Sequence, residues 1–155
     1  MTHHKFGLWN RFLLTSLVLF FSISFLGCRE TGNLVLVTHV IDGDTIEIEG
    51  GYHVRYIGID APEIGEPYYW EAVEANRNLV EGRKVYLEKD IEDKDEHGRL
   101  LRYVWVNDTM VNAELVKLGY AYSYSYPPNV KYQAYFLQLE KEAREQKLGL
   151  WGIEH

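Results

Sequence analysis

A single cysteine in 155 residues, Cys28, rules out an intramolecular disulfide. Whatever folds here is held by burial and hydrogen bonding. Basic residues are also scarce, with 16 Lys+Arg against 23 Asp+Glu and a formal net charge of −7. A field of that sign repels polyanions. It excludes a protein that coats nucleic acid through counterion release, and any attraction for a phosphate must be local. The chain has no internal repeat and no low-complexity segment, which leaves one compact unit as the economical reading at this length. The apolar run 12–26, fifteen residues long, is short for a membrane span.

That run follows Lys5 and Arg11 and reads as the hydrophobic region of a signal peptide over residues 1–27. It ends in Phe25-Leu26-Gly27-Cys28, which resembles a bacterial lipobox, although Phe25 and Leu26 depart from the usual pattern. The resemblance implies lipidation at Cys28 as the mature N-terminus. The expectation is a monomeric, exported protein, either anchored to a membrane as a lipoprotein facing the periplasm or cell exterior, or secreted. Residues 28–33 read as a linker and 34–155 as the domain. Removing Lys5 and Arg11 with the leader leaves 14 Lys+Arg against 23 Asp+Glu, a net charge of −9.

Within the domain, residues 34–40 read as a strand, Asp42-Gly43 as a turn and 45–49 as a second strand whose alternation buries Ile46 and Ile48. Gly50-Gly51 signals a hairpin, and a third strand returns over 52–59. The prolines of 61–67 make a loop, with Pro67 in the first turn of a helix to about residue 81 that presents Tyr69, Val73, Asn76 and Val80. Strands follow at 85–88 and 100–106, joined by the charged connection 90–98. A second helix is expected over 109–118, capped by Asp108 and stopped by Gly119, and a third over 130–147 with Tyr132, Phe136, Leu139 and Ala143 inward. Five short strands and three helices make an α+β chain, β-dominated, whose natural closure is a five-stranded OB-type barrel.

The chemistry is concentrated between Val40 and Arg99. Asp44 shares strand parity with Ile46 and Ile48, so its carboxylate points to the apolar side, where a lone charge is costly unless neutralised. Asp60 ends the third strand before Ala61-Pro62. Each acid alone reads as a turn residue. Together they are hard-oxygen ligands for Ca²⁺ or Mg²⁺ at the ends of adjacent strands. Arg55 and Arg99 are forks for phosphate oxygens, and a third carboxylate nearby is able to position or deprotonate water. Simple alternation puts Arg55 and Asp60 on opposite faces, a conflict that a bend at Gly58 would relieve. Tyr120, Tyr122, Tyr124 and Tyr126 alternate before Pro127-Pro128, and on an extended segment they share a face suited to stacking bases. For Tyr120 and Tyr122 a packing role is preferred. Trp151 reads as core against the last helix, and His39, His53 and His97 lack ligand spacing and read as surface or packing residues.

The ordered set Val40-Ile41-Asp42-Gly43-Asp44-Thr45, Arg55, Ile59-Asp60-Ala61-Pro62-Glu63, Gly98-Arg99, Val111-Asn112 and Leu148-Gly149-Leu150-Trp151-Gly152 resembles the staphylococcal nuclease-like (thermonuclease) family from about Leu34 to the C-terminus. The resemblance implies Ca²⁺ held by Asp44, Asp60 and the backbone carbonyl of Ala61, with Asp42 in its outer shell. It implies Glu63 as general base or water-positioning group, and Arg55 and Arg99 as stabilisers of charge at phosphorus. Tyr124 and Tyr126 match the place of tyrosines along the family's nucleotide pocket. The expected activity is Ca²⁺-dependent cleavage of DNA and RNA, single-stranded DNA included, with little sequence preference and 3′-phosphate ends. Glu96 and His97 replace a Lys-Tyr pair, a departure beside Arg99. A non-catalytic oligonucleotide-binding barrel, and a surface lipoprotein that binds a protein or glycan, are the alternatives.

Overall fold

The computed structural model describes residues 34–152, so Cys28, the leader and the linker lie outside the described residues. Strands β1 (Val35–Val40), β2 (Thr45–Ile48) and β3 (Tyr52–Tyr56) form an antiparallel meander. Its other edge continues from β1 to β5 (Lys84–Glu88) and from there to β6 (Leu100–Val106). Parallel pairing of β3 with β6, Val54 opposite Leu100 and Tyr56 opposite Arg102, closes the barrel and removes its edges. The result is a closed five-stranded barrel with three helices, the β-dominated α+β architecture expected.

Alternation fixes the interior. Ile46, Ile48, Val54, Tyr56, Leu101 and Tyr103 face inward and are almost wholly buried. Helix α1 (Tyr69–Val80) lays Val73, Asn76 and Val80 on the barrel, while α2 (Val111–Lys117) and α3 (Gln133–Glu145) pack against each other and seal the far side with Leu115, Phe136, Leu139 and Ala143. Two buried asparagines do the work of backbone partners. Asn76 accepts from the Tyr56 hydroxyl at 2.8 Å and donates to the Asp42 carbonyl at 2.9 Å, fastening α1 to the β1–β2 turn. Asn112 accepts from Val104 N–H and donates to the Ile57 carbonyl, both at 2.9 Å. No helix among the described residues is long and apolar enough to cross a membrane.

Several local expectations are corrected. Asp108 does not cap α2: Asn107-Asp108 form the turn of a hairpin between β6 and the two-residue strand β7 (Thr109–Met110), and Met110 takes the N-cap position. Cross-strand pairing has overridden the local capping signal. Pro67 precedes α1 rather than entering it, because Tyr68 adopts a left-handed turn with φ 65° at the helix boundary. The third expected strand breaks at Ile57-Gly58 and resumes as β4 (Ile59–Asp60), which pairs with β8 (Tyr122–Ser123) instead of continuing the barrel. Trp151 is half-buried rather than core, on a short 3₁₀ turn (Gly149–Gly152), with Arg144 of α3 over its ring at 3.6 Å and Tyr122 edge-on at 5.2 Å.

The break at Gly58 depends on glycine. Its φ is +80°, and a Cβ there would stand 2.5 Å from the Phe136 ring. Gly58→Ala is therefore expected to destabilise the domain by about 2–4 kcal/mol, against about 1 kcal/mol for Gly51→Ala, where φ is +76° and nothing lies within 4 Å. Urea unfolding followed by tryptophan fluorescence measures both; equal losses would contradict the packing account.

Candidate active site

Residues from four parts of the chain meet at one end of the barrel. The Asp42-Gly43-Asp44 turn is held by Asp44 N–H donating to Asp42 Oδ1 at 3.0 Å, and it sits hard against Ala61 and α1. A Cβ on Gly43 would lie 2.5 Å from Ala61 Cβ and 3.0 Å from Ala72 Cβ, so close approach requires glycine here. The turn delivers the Asp44 carboxylate, 6% exposed, to the barrel rim. Asp44 Oδ2 accepts from Ala61 N–H at 2.7 Å and pairs with Arg55 Nη1 at 3.0 Å, while Oδ1 accepts from Thr45 Oγ1 at 3.2 Å.

Arg55 is the centre of the arrangement. Its Nη1 also donates to the carbonyls of Tyr56 and Ile59 at 3.1 and 3.0 Å, and Nη2 donates to Asp60 Oδ1 at 2.8 Å. The opposite faces predicted for Arg55 and Asp60 are thus corrected. The Gly58 bend turns β4 back so that the two side chains meet.

The same bend recruits the tyrosine segment. Tyr122 pairs with Asp60 and Ser123 with Ile59, and Tyr124 N–H donates to the Gly58 carbonyl at 2.9 Å. The four phenols do not share one face. Tyr120 packs on the core, Tyr122 meets Trp151, and only Tyr124 and Tyr126 line the cleft.

That cleft, about 260 Å³, is lined by Arg55, Asp60, Arg99, Tyr124 and Tyr126, together with Asp95, Glu96 and His97. Arg99 enters from the loop before β6. Asp95 holds it twice, Oδ2 accepting from Arg99 Nε at 2.6 Å and Oδ1 from Arg99 N–H at 2.9 Å. Burial pushes the Asp95 carboxyl up, but the Arg99 bonds outweigh it and hold it below the usual carboxylate range. Glu63 is not part of this lining. It lies on the exposed loop three residues beyond Asp60, where its N–H donates to Glu66 Oε2 at 2.7 Å.

Sequence reasoning missed Asp95 and Asn129 as organisers. Asn129 is fully buried; its Oδ1 accepts from Ile91 N–H at 3.0 Å and Glu92 N–H at 2.7 Å, which ties the tyrosine wall to the loop that carries Arg99. The Asp95-x-x-Gly98-Arg99 spacing, an Asx-type turn closed by glycine, was the available signal for the first. Nothing local marks the second, whose partners lie 37 and 38 residues away.

The electrostatics favour an added cation. Burial, with Asp42 and Asp60 nearby, raises the Asp44 carboxyl to about 7 even though Arg55 pulls it down. Asp44 and Asp60, both paired with Arg55, present carboxylate oxygens at this rim, the donor type that hard divalent ions take. No group of three or more His, Cys, Asp or Glu side chains among the described residues stands ready as a metal cage. Water would complete any coordination shell.

The closed OB-type barrel thus carries at its rim a cleft with a carboxylate-anchored arginine on one side and a second arginine on the facing loop. Residues 53–152 match the family model described as staphylococcal nuclease homologue. The chain is 41% identical to a thermonuclease of Staphylococcus intermedius over 129 residues, covering 77% of each protein. It is 39% identical to the thermonuclease of Staphylococcus hyicus over 125 residues, 75% of this chain and 74% of that one. It is also 41% identical to endonuclease YncB of Bacillus subtilis over 129 residues, 76% of this chain and 61% of the relative. The chain belongs to the staphylococcal nuclease family.

The raised Asp44 group carries a pH signature. The folded carboxyl keeps its proton to about pH 7, whereas an unperturbed one releases it near 3.8, so its stabilising contribution is complete below about pH 4 and is lost as pH rises toward 7. Asp44→Asn cannot titrate. In chelator, its stability relative to the parent is expected to rise by more than about 1 kcal/mol between pH 4.5 and 7.5. Urea midpoints across that range check this, and a constant difference would contradict it.

Proposed function

We propose that this protein is a nuclease, a metal-dependent phosphodiester hydrolase acting on DNA and RNA with little sequence preference. The observation that carries the reading is Arg55, bound at once to Asp44, Asp60 and two backbone carbonyls, in the same cleft as Arg99 and two tyrosines. Four acceptors fix the guanidinium plane before any substrate arrives, which is the preorganisation that stabilises charge on a phosphoryl group. The names of the relatives, thermonuclease and endonuclease, agree with it.

In this reading Asp44, Asp60 and the Ala61 carbonyl would hold Ca²⁺, with Asp42 in its outer shell. The ion would supply Lewis-acid polarisation of a phosphate oxygen. Arg55 and Arg99 grip phosphate oxygens and stabilise the charge that builds at phosphorus. Glu63, carried on the loop directly after the metal pair, orients and deprotonates water. Tyr124 and Tyr126 receive the nucleotide adjoining the scissile bond by stacking or through their phenols, without reading sequence. Release of a 3′-phosphate end follows from the family resemblance. Cys28 is the proposed lipid attachment point, which would place the monomeric domain outside the cytoplasm, on a membrane or secreted.

Glu63→Gln keeps the size of the side chain and removes the base. It is expected to lower kcat on single-stranded DNA in Ca²⁺ by about 10²-fold or more while leaving KM and Ca²⁺ affinity within about threefold. Steady-state cleavage kinetics and calorimetric Ca²⁺ titration measure the three quantities. Retained turnover would remove Glu63 from the mechanism, and a gel shift without degradation by the unaltered protein would replace the enzyme with a binding module.

A further inference from the structure

A second concavity, of about 600 Å³, lies between the outer face of α1 and the chain that leaves α2, and it shares no lining residue with the cleft. Trp70 and Leu79, on the first and last turns of α1, line it together with Leu118 and Tyr120. By helix rise the two α1 residues are roughly 14 Å apart, so the concavity is an elongated groove. Leu79 and Tyr120 pack on the core and fix its wall. Trp70, by contrast, is 70% exposed and Leu118 38% exposed. The Trp70 ring meets Tyr69 edge-on at 4.9 Å and otherwise faces water. An open tryptophan beside an apolar groove marks a surface that another molecule covers.

The charge along this groove has one sign. Glu71 and Glu74 line it, and no Lys, Arg or His does. Arg77 engages Glu74 at 2.7 Å from the same helix, while Glu71 has no ion pair among the described residues. With an acidic chain behind them, these carboxylates repel a nucleic-acid strand or an anionic bilayer. They also oppose a second copy docked about a two-fold axis, because such an interface sets the same acidic patch against itself.

We propose that this groove docks a basic amphipathic helix of a partner protein, whose apolar stripe covers Trp70, Leu79, Leu118 and Tyr120 while its lysines or arginines meet Glu71 and Glu74. The proposal is independent of the nuclease reading. A helix laid into a groove presents anchors at i, i+3 or i+4 and i+7, a span that matches the distance from Trp70 to Leu79. The tryptophan supplies the apolar anchor. The carboxylates set the sign of the partner and speed its encounter more than they tighten it.

The probe is a fluorescein-labelled peptide of about 18 residues built from Leu and Lys, with its leucines on one helical face. Anisotropy titration with the protein in chelator gives the Kd. Trp70→Ala is expected to raise it about tenfold or more, and Trp70→Phe, which keeps a ring, about threefold or less. Glu71→Gln with Glu74→Gln is expected to raise it about three- to tenfold and to weaken its salt dependence. Glu142→Gln with Glu145→Gln makes the same charge change on α3, outside the groove, and should leave Kd within about twofold. A peptide of the same composition with leucines spread around the helix should bind at least about tenfold more weakly. An unchanged Kd in Trp70→Ala, equal losses from the two glutamate pairs, or equal binding of the two peptides overturns the proposal. So does displacement of the peptide by an oligothymidylate, or binding of phosphatidylglycerol vesicles that is lost in Trp70→Ala, since either gives the groove to a polyanion. Failure of the protein to cleave DNA in Ca²⁺ bears on the nuclease reading alone.

Discussion

Everything at the rim of this barrel is arranged around one guanidinium. The Arg55 side chain is only 16% exposed, and a cation so far withdrawn from water is held there by two carboxylates and two carbonyl oxygens. Each of those partners in turn fixes a different piece of chain. Asp44 fixes the β1–β2 turn and Ala61, Asp60 fixes β4, and the carbonyls of Tyr56 and Ile59 fix the bend between them. The electrostatic need of one side chain and the backbone path of the site are therefore a single constraint. Loss of any one partner leaves a partly buried charge short of compensation, which costs more than the hydrogen bond itself.

The bend at Gly58 joins fold to function. It takes the chain out of the barrel after Tyr56, lets Arg55 reach Asp60, and offers the Gly58 carbonyl and the β4 edge to the tyrosine segment. Asn112 holds the Ile57 carbonyl from below, and Phe136 packs where a side chain at position 58 would sit. On the opposite wall, Asp95 and Asn129 fasten the Arg99 loop and the tyrosine segment to the body of the domain. The walls of the cleft are loops, and these side-chain hydrogen bonds tie them to the barrel.

Much of this was legible in the sequence, for identifiable reasons. Alternation placed Ile46, Ile48 and the Asp44 carboxylate on the inner side, because a side-chain period of two has only one register that buries the isoleucines. Helical spacing found the inner face of α1, Val73, Asn76 and Val80, and of α3, Phe136, Leu139 and Ala143. What escaped was set by tertiary contacts. Asp108 looked like a cap, but Thr109 and Met110 had a better partner in β6. Arg55 and Asp60 counted as opposite only while the strand was assumed straight. Tyr120 through Tyr126 read as one face, yet only Tyr122 and Ser123 of that stretch form a strand, and the phenols diverge. Asn129 has no local signal at all, since its role exists only once residues 91 and 92 are beside it.

The central claim is that the carboxylate pair and the two arginines address one phosphate together with one cation. A crystal structure of the domain with Ca²⁺ and a short cleavage-resistant phosphorothioate oligonucleotide tests it most directly. The account predicts Ca²⁺ at about 2.3–2.6 Å from oxygens of Asp44, Asp60 and the Ala61 carbonyl, with a single phosphate touching that ion, Arg55 and Arg99. A phosphate seated elsewhere, or a cation bound away from Asp44 and Asp60, would contradict it.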